Sequence, residues 1–250
     1  GAARVVDAVR PDALLHLAWY TEHGRFWTSL ENYRWVGASL ELFRAFAGAG
    51  GARIVATGTC AEYDWSAGTC DERDTPLRPA TPYGACKLAT GQLLASLAER
   101  TGMRAAWARL FFLYGPHEHP DRLVPSVARA LLAGEPARCT HGAQLRDFLH
   151  VRDVASACVA LLESGVTGPV NVAAGRAVAL RTVVEGVARH AGDPGLVRLG
   201  ALPAPADDPP VLAASAARLR DEVGWTPALD LDAGLADAVA WWRGRRISNG

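Results

Sequence analysis

Tyr83 and Lys87 stand four residues apart in a segment whose apolar pattern predicts a helix. At that spacing both side chains lie on one helix face, and an ammonium group beside a phenol stabilises the phenolate. Such a tyrosine can exchange a proton with an alcohol or a carbonyl oxygen. Lys87 is the single lysine beside 25 arginines. Because a compact ammonium approaches a phenolate differently from a planar guanidinium, the pair predicts a proton-transfer site.

Thr59 adds a second hydroxyl group to this predicted site. It directly follows the apolar strand predicted over residues 53–58, and it precedes Tyr83 by 24 positions. A threonine there can hydrogen-bond the substrate oxygen that Tyr83 protonates, while a loop or capping threonine is the alternative. Pro82 fixes the backbone directly before Tyr83. Together the three side chains predict a catalytic centre.

Short apolar runs alternate with segments of helical periodicity, which is typical of βαβ units around a parallel sheet. This pattern predicts an α/β fold. Strands are predicted over 13–18, 53–58, 103–111, 144–150 and 169–173. Helices are predicted over 30–47, 83–101, 124–133, 151–163, 181–191 and 231–243, with an irregular proline-rich loop over 201–210.

The composition is that of an ordinary globular protein. The 26 basic residues equal the 26 acidic ones, which argues against nucleic acid as a partner. Five scattered cysteines without a CxxC pair indicate reduced thiols in a cytoplasmic protein and no metal site. The chain has no apolar run of about 20 residues, so a membrane-spanning helix is not expected.

Seven stretches of the chain resemble the extended short-chain dehydrogenase/reductase family, in its NAD-dependent epimerase/dehydratase branch, which acts on nucleotide sugars. They are LLHLAW (14–19), RIVATGTCAEY (53–63), TPYGACK (81–87), ARLFFLYGP (108–116), RDFLHVRDVA (146–155), GPVNVAAG (168–175) and VGWTP (223–227). Together they are highly specific and extend over nearly the whole chain.

The resemblance implies a Rossmann-type, doubly wound parallel sheet with a smaller, interleaved C-terminal substrate lobe. The domain that binds NAD or NADP is expected over 1–112 plus about 144–175, and the substrate lobe over 113–143 and 176–246. Members of the family commonly dimerise through a pair of helices that includes the counterpart of the Tyr83 helix, so the resemblance implies a possible homodimer.

The family's functional residues can be carried over where its motifs match this chain. Tyr83 would be the acid/base, Lys87 would hold the nicotinamide ribose, and Thr59 would lie beside the substrate oxygen. Ala18 and Thr57 would line the cofactor cleft.

The substrate lobe would hold a nucleotide-diphosphate sugar. Arg146 resembles the family's contact to the diphosphate, although a structural salt bridge with Asp153 or a neighbour is the alternative. Val124 matches the wall against the nucleotide base, and Phe112 stands where the family usually has asparagine. His117 and His119 could add acid/base groups or be solvated loop residues.

Two departures from the family pattern limit the expected activity. The first strand–turn–helix, with its glycine fingerprint, has no counterpart, so the sequence opens about two βα units late, or roughly 50–60 residues. The residue that separates NAD from NADP belongs to that region. Sugar 4,6-dehydratases of the family carry an Asp-Glu pair directly after the catalytic threonine, whereas this chain has Cys60 and Ala61.

Dehydration is therefore not expected. The predicted activity is NAD(P)-dependent oxidoreduction of a nucleotide-diphosphate sugar, first as a 4-keto-6-deoxy-sugar reductase. The alternative is an epimerase that uses the same groups and returns its cofactor unchanged. An alternative of another class is a non-catalytic protein that binds a cofactor or metabolite as a sensor.

Overall fold

The computed structural model describes residues 1–247, and the segment 248–250 lies outside the described residues. The strands are β1 (Ala13–His16), β2 (Arg53–Thr59), β3 (Thr69–Cys70), β4 (Arg104–Leu110), β5 (Phe112–Tyr114), β6 (Ala137–Arg138), β7 (Leu145–His150), β8 (Gly168–Val172), β9 (Ala177–Ala179), β10 (Val197–Arg198) and β11 (Val211–Ala214). The α-helices are α1 (Ala2–Val9), α2 (Glu31–Gly48), α3 (Pro82–Thr101), α4 (Leu123–Leu132), α5 (Val151–Glu163), α6 (Leu180–Ala191), α7 (Ala217–Asp221) and α8 (Leu231–Ile247).

The chain divides into two compact units whose segments alternate along the sequence. The first unit comprises Gly1–Leu110, Ser156–Val172 and Ser215–Thr226. The second comprises Phe111–Ala155, Ala173–Ala214 and the described residues from Pro227 onward. These boundaries differ from the predicted domains at four places. Residues 111–112, 144–155 and 173–175 lie in the second unit, and residues 215–226 lie in the first.

The first unit is built on a four-stranded parallel sheet in the order β1-β2-β4-β8. All seven residues of β2 are buried, as expected for a central parallel strand that is covered on both faces. Phe43 and Phe46 of α2, Leu94 of α3 and Trp107 of β4 form a core with Ile54 of β2. This sheet and its core place the carboxyl end of β2, where Thr59 lies.

Helix α3 carries its start and stop signals in the sequence. The Thr81 hydroxyl caps the N-terminus by accepting a hydrogen bond from Gly84 N at 3.1 Å, and Pro82 occupies the first helical turn. Gly102 ends the helix with φ 74°, a left-handed conformation that glycine adopts without steric penalty. Tyr83 therefore enters the helix at a rigidly defined point.

The second unit has its own sheet, in which β7 lies between β11 and β5 in parallel and also pairs with β9 in antiparallel register. Strands β6 and β10 form a separate parallel pair. Its core is a cluster of buried side chains from α4, α6 and α8, which includes Val127, Val187 and Leu235. Within residues 1–247, no helix is long and apolar enough to span a membrane.

Candidate functional site

Thr59 lies at the end of β2, where the strand passes into a 3-10 turn over Cys60–Glu62. Its side-chain oxygen accepts a hydrogen bond from Ala61 N at 3.2 Å, and the Glu62 carboxylate accepts one from Thr59 N at 2.9 Å. This reciprocal capping box fixes the residue on both sides. Because its oxygen serves as acceptor within the cap, the Thr59 hydroxyl retains its proton as a donor for another oxygen.

Tyr83 lies in the first turn of α3, half-buried among aromatic side chains. Its ring meets Phe26 edge-on at a centroid distance of 4.9 Å and Trp27 at 5.6 Å. Its backbone N–H donates to Trp27 O at 3.1 Å. The ring is therefore held by packing from the loop after β1, and the positive end of the α3 dipole favours negative charge on its oxygen.

Gly84 brings the start of α3 directly onto the turn that follows Thr59. A Cβ atom on Gly84 would meet the Ala61 carbonyl oxygen well inside van der Waals contact. Only glycine permits that approach. The YxxxK motif of this chain therefore requires glycine directly after Tyr83, because α3 packs there against the turn that follows Thr59.

Lys87 follows one turn later and is 3% exposed. Its Nζ donates to Thr57 O at 2.8 Å and lies 4.1 Å from the centroid of the Trp19 ring. Burial lowers the pKa of Lys87 to about 7, and the nearby Glu62 carboxylate opposes the shift. The ammonium group is thus anchored to β2 beside Thr59, with little access to water.

This burial makes the stability of the unliganded protein depend on pH. Between pH 7 and 10.5 the unfolded state binds more protons at Lys87 than the folded state, so stability rises with pH in that window. From pH 7 to 9 we expect Lys87 to contribute a rise of about 2 kcal/mol in the free energy of unfolding. Urea unfolding of the wild type and of Lys87→Met at both pH values isolates this contribution as the difference between the two proteins in how far the free energy of unfolding changes from pH 7 to 9. An equal change in both proteins would show that Lys87 titrates as in water.

Glu62 is the residue of this site that the sequence analysis missed. It is fully buried and accepts hydrogen bonds from Arg109 Nε at 2.7 Å and from Trp107 Nε1 at 3.0 Å. Arg109 also donates to Tyr63 Oη at 3.0 Å. Glu62 lies within the TGTCAEY stretch, but nothing local indicated that its partner Arg109 lies on β4.

The two residues predicted to line the cofactor cleft belong to the same unit. Thr57 is buried on β2, with its hydroxyl 3.4 Å from His16 O, while Ala18 is exposed after β1. His16 packs edge-on against Phe43 at 5.0 Å. Burial, with a further contribution from Lys87, lowers the pKa of His16 to about 4, so this imidazole is neutral at physiological pH.

The predicted diphosphate contact, Arg146, lies on β7 in the second unit. Its guanidinium pairs with Asp208, which comes from the proline-rich loop, and lies 5.6 Å from the Phe112 ring. Gln144 also donates to Asp208, at 3.1 Å. The partner is thus Asp208 and not Asp153, whose carboxylate accepts from the backbone N–H groups of residues 228 and 229.

The remaining predicted residues of the second unit have separate surroundings. Val124 is buried in the helical core. His117 is exposed with φ 66° and packs on Trp241 at 4.8 Å, and His119 lies 3.8 Å from the Asp121 carboxylate. The sequence analysis passed over Glu118, which lies between the two histidines. Burial raises the pKa of Glu118 to about 7, which suits an acid/base group.

Comparison with known proteins identifies the family of this chain. A model of the NAD dependent epimerase/dehydratase family matches residues 2–173. The UDP-glucose 4-epimerase of Streptomyces lividans is 30% identical over an alignment that covers 92% of this chain and 75% of that protein. The chain therefore belongs to the NAD-dependent epimerase/dehydratase family, within the extended short-chain dehydrogenases/reductases. The predicted family and enzyme class are confirmed.

Solved structures confirm the predicted fold class. MoeE5 in complex with UDP-glucose and NAD is 29% identical, with a TM-score of 0.85 over 100% of this chain and 83% of that chain. The UDP-N-acetylglucosamine 4-epimerase from Methanobrevibacter ruminantium M1 has a TM-score of 0.88 at 23% identity, over 98% of this chain and 80% of that chain. That second likeness concerns the fold alone.

Proposed function

We propose that this protein is an NAD-dependent epimerase that inverts a carbinol carbon of a nucleotide-diphosphate sugar. The observation that carries the proposal is the arrangement at the end of β2. There the Thr59 hydroxyl is fixed by its capping box, α3 is joined to the same turn at Gly84, and the Lys87 ammonium is anchored to Thr57.

Dehydration does not fit the residues that follow Thr59. Elimination of water needs an acid and a base beside the sugar. Burial raises the pKa of Cys60 to about 12, so this thiol does not exchange protons near neutral pH, and Ala61 has no titratable group.

The donor set of the first unit fits the hydroxyl groups of a nicotinamide ribose. An ammonium group has three N–H donors, and the Thr57 carbonyl takes one of those on Lys87 at 2.8 Å. The carbonyl and the ammonium together offer an acceptor and donors to a vicinal diol. When bound, NAD supplies reversible hydride transfer at the sugar carbon.

Each residue of the site then has a defined task. Tyr83 takes the proton from the sugar hydroxyl and returns it to the same oxygen, and the hydroxyl proton of Thr59 holds that oxygen in place. The buried Lys87 ammonium stabilises negative charge on Tyr83, because charges interact more strongly away from water. The aromatic contacts of Phe26 and Trp27 keep the phenol ring in one orientation.

The choice of epimerase over reductase rests on the relatives. Proteins described as UDP-glucose 4-epimerases match 92% and 100% of this chain at 30% identity. The 4-keto-6-deoxy-sugar reductase that the sequence analysis ranked first finds no specific support among them. It remains a prediction, as does the sensor.

For the second unit we propose the binding of the nucleotide diphosphate. Arg146 offers a buried guanidinium suited to phosphate oxygens, and Phe112 lies beside it. Val124, His117 and His119 remain predicted substrate contacts of this unit. The five cysteines are all buried free thiols, which suits the reducing cytoplasm. The homodimer also remains a prediction.

Cofactor stoichiometry tests the proposal. Incubated with UDP-glucose or dTDP-glucose and substoichiometric NAD, the protein is expected to form the C4 epimer over many turnovers without net change in nicotinamide absorbance. A reductase would instead consume one NADH or NADPH for each keto-sugar converted. Absence of epimer from either nucleotide sugar, together with stoichiometric loss of reduced nicotinamide on a keto-sugar, would replace the epimerase with the reductase.

A further inference from the structure

Glu62 is a buried carboxylate that is hydrogen-bonded to the backbone of Thr59 in the candidate proton-transfer site. Its carboxylate is fully buried and receives hydrogen bonds from Thr59 N, Trp107 Nε1 and Arg109 Nε. Both oxygens are used, so the carboxylate has a single orientation. A buried side-chain charge with this many partners either stabilises the fold or positions residues of the neighbouring proton-transfer site.

Its position favours a role in the site. The hydrogen bond to Thr59 N holds the backbone of the residue whose hydroxyl meets the substrate. Gly58, directly before Thr59, has no room for a Cβ because Glu62 and Trp107 fill that space. The end of β2 therefore packs directly against the Glu62 carboxylate and is hydrogen-bonded to it.

Charge supplies the second connection. Lys87 is 3% exposed and donates one hydrogen bond, to the uncharged Thr57 carbonyl. Its Nζ lies 6.0 Å from the centroid of the Trp107 ring, whose Nε1 donates to Glu62. Burial lowers the pKa of Lys87, and the Glu62 carboxylate raises it. The titratable and charged groups of the neighbouring elements are His16 on β1, Cys60 and Glu62 in the 3-10 turn, Tyr83 on α3 and Arg109 on β4. Of these, His16 and Glu62 interact electrostatically with Lys87.

Glu62 supplies the negative charge among these groups near neutral pH. His16 is neutral there, Cys60 is a thiol, and Arg109 is cationic. Without the carboxylate, the buried ammonium would lose the opposite charge that Glu62 supplies, which favours loss of the lysine proton.

We propose that Glu62 is a positioning residue of the proton-transfer site, which holds the backbone of Thr59 and increases the fraction of Lys87 in its ammonium form. This inference rests on the proposed function, because it assigns Glu62 to the same reaction.

The single lysine of the chain permits a direct test. Protein labelled with lysine carrying 13C at Cε gives one lysine resonance, whose shift follows the protonation of Lys87. On Glu62→Gln we expect its pKa to fall by about one unit, because an opposite charge nearby has been removed. Arg109→Gln is the matched control: it breaks the same ion pair but removes a positive charge, so the pKa of Lys87 is expected to rise.

A second variant guards against misfolding. Glu62→Met combined with Arg109→Met removes the ion pair as a unit, which proteins tolerate better than the loss of one partner. In this double variant the pKa of Lys87 is again expected to lie below that of the control Arg109→Met with Glu62 intact. Equal lysine titration curves in the wild type, Glu62→Gln and the double variant would overturn the proposal.

Activity gives an independent readout where turnover is found. The alkaline limit of kcat is expected to move to lower pH in Glu62→Gln by the same amount as the lysine titration, whereas a purely structural role would lower kcat at every pH alike. The lysine titration uses no substrate. Failure of the epimerase assignment and failure of the Glu62 assignment therefore give different results.

Discussion

Tyr83→Phe is expected to lower kcat by about 10² to 10⁴-fold, because the site loses the group that takes and returns the proton. The ring itself remains, so the edge-on contacts with Phe26 and Trp27 and the hydrogen bond from the residue 83 backbone to Trp27 O persist. Stability should therefore be nearly unchanged. Turnover of UDP-glucose at saturating substrate and NAD, with urea unfolding alongside, checks both parts.

Tyr33→Phe is the matched control for this change. Tyr33 lies on α2 and is 58% exposed, so its hydroxyl serves no buried site and its loss should leave kcat unchanged. Unchanged turnover in Tyr83→Phe would remove the phenol from the reaction. Absence of turnover in the wild type, with NAD still bound, would instead favour the non-catalytic binding protein over the enzyme.

Gly84→Ala is expected to destabilise the protein by about 2–3 kcal/mol and to lower activity with it. The added methyl group would enter the space of the Ala61 carbonyl oxygen, which is backbone and cannot rotate away. Either α3 or the turn after Thr59 must move, which separates Tyr83 from Thr59. Free energies of unfolding from urea titration, with kcat measured on the folded fraction, test both consequences.

Gly37→Ala, the same change of residue type at another helix position, is expected to raise the free energy of unfolding and not to lower it. Gly37 lies within α2, and nothing lies within 4 Å of the position that a Cβ atom would take there. Alanine at this position should therefore stabilise the helix by about 0.5–1 kcal/mol. If Gly84→Ala were as harmless as Gly37→Ala, the close approach of α3 to the Ala61 carbonyl would not be what positions Tyr83.

The bounds of a helix or strand could be predicted closely where a single local sequence signal determines where the element begins or ends. Helix α5 spans Val151–Glu163, the predicted bounds, and α3 begins one residue before the prediction because Pro82 takes the first helical position. Strand β1 ends at His16, two residues short of the predicted end, because pairing with β2 stops there. Apolar composition alone could not reveal that limit.

Short elements were missed for a physical reason. Strands β5 and β11 have three and four residues, too few for a period to show, and they exist because β7 lies between them. Helix α1 was also not predicted, although its apolar residues lie on one face. Such elements are fixed by tertiary contacts and not by local sequence.

The candidate site also contains residues that local motifs indicate and residues whose partners are distant in the sequence. Thr59, Tyr83 and Lys87 stand in short motifs, so residue type, spacing and the family resemblance were enough to mark them as candidates. Glu62 could not be found in this way, because its partner Arg109 lies 47 residues further along the chain. The pairing of Arg146 with Asp208 likewise joins residues 62 positions apart, and only the folded chain brings them together.

The burial of the single lysine also bears on proteolysis. A protease that cuts only after lysine has one site in the whole chain, and the fold encloses it within α3, under the Trp19 ring. Cleavage requires unfolded backbone around Lys87, so it proceeds only when α3 opens. The rate of that single cut therefore reports the local stability of the proton-transfer site, and a ligand that binds there should slow it.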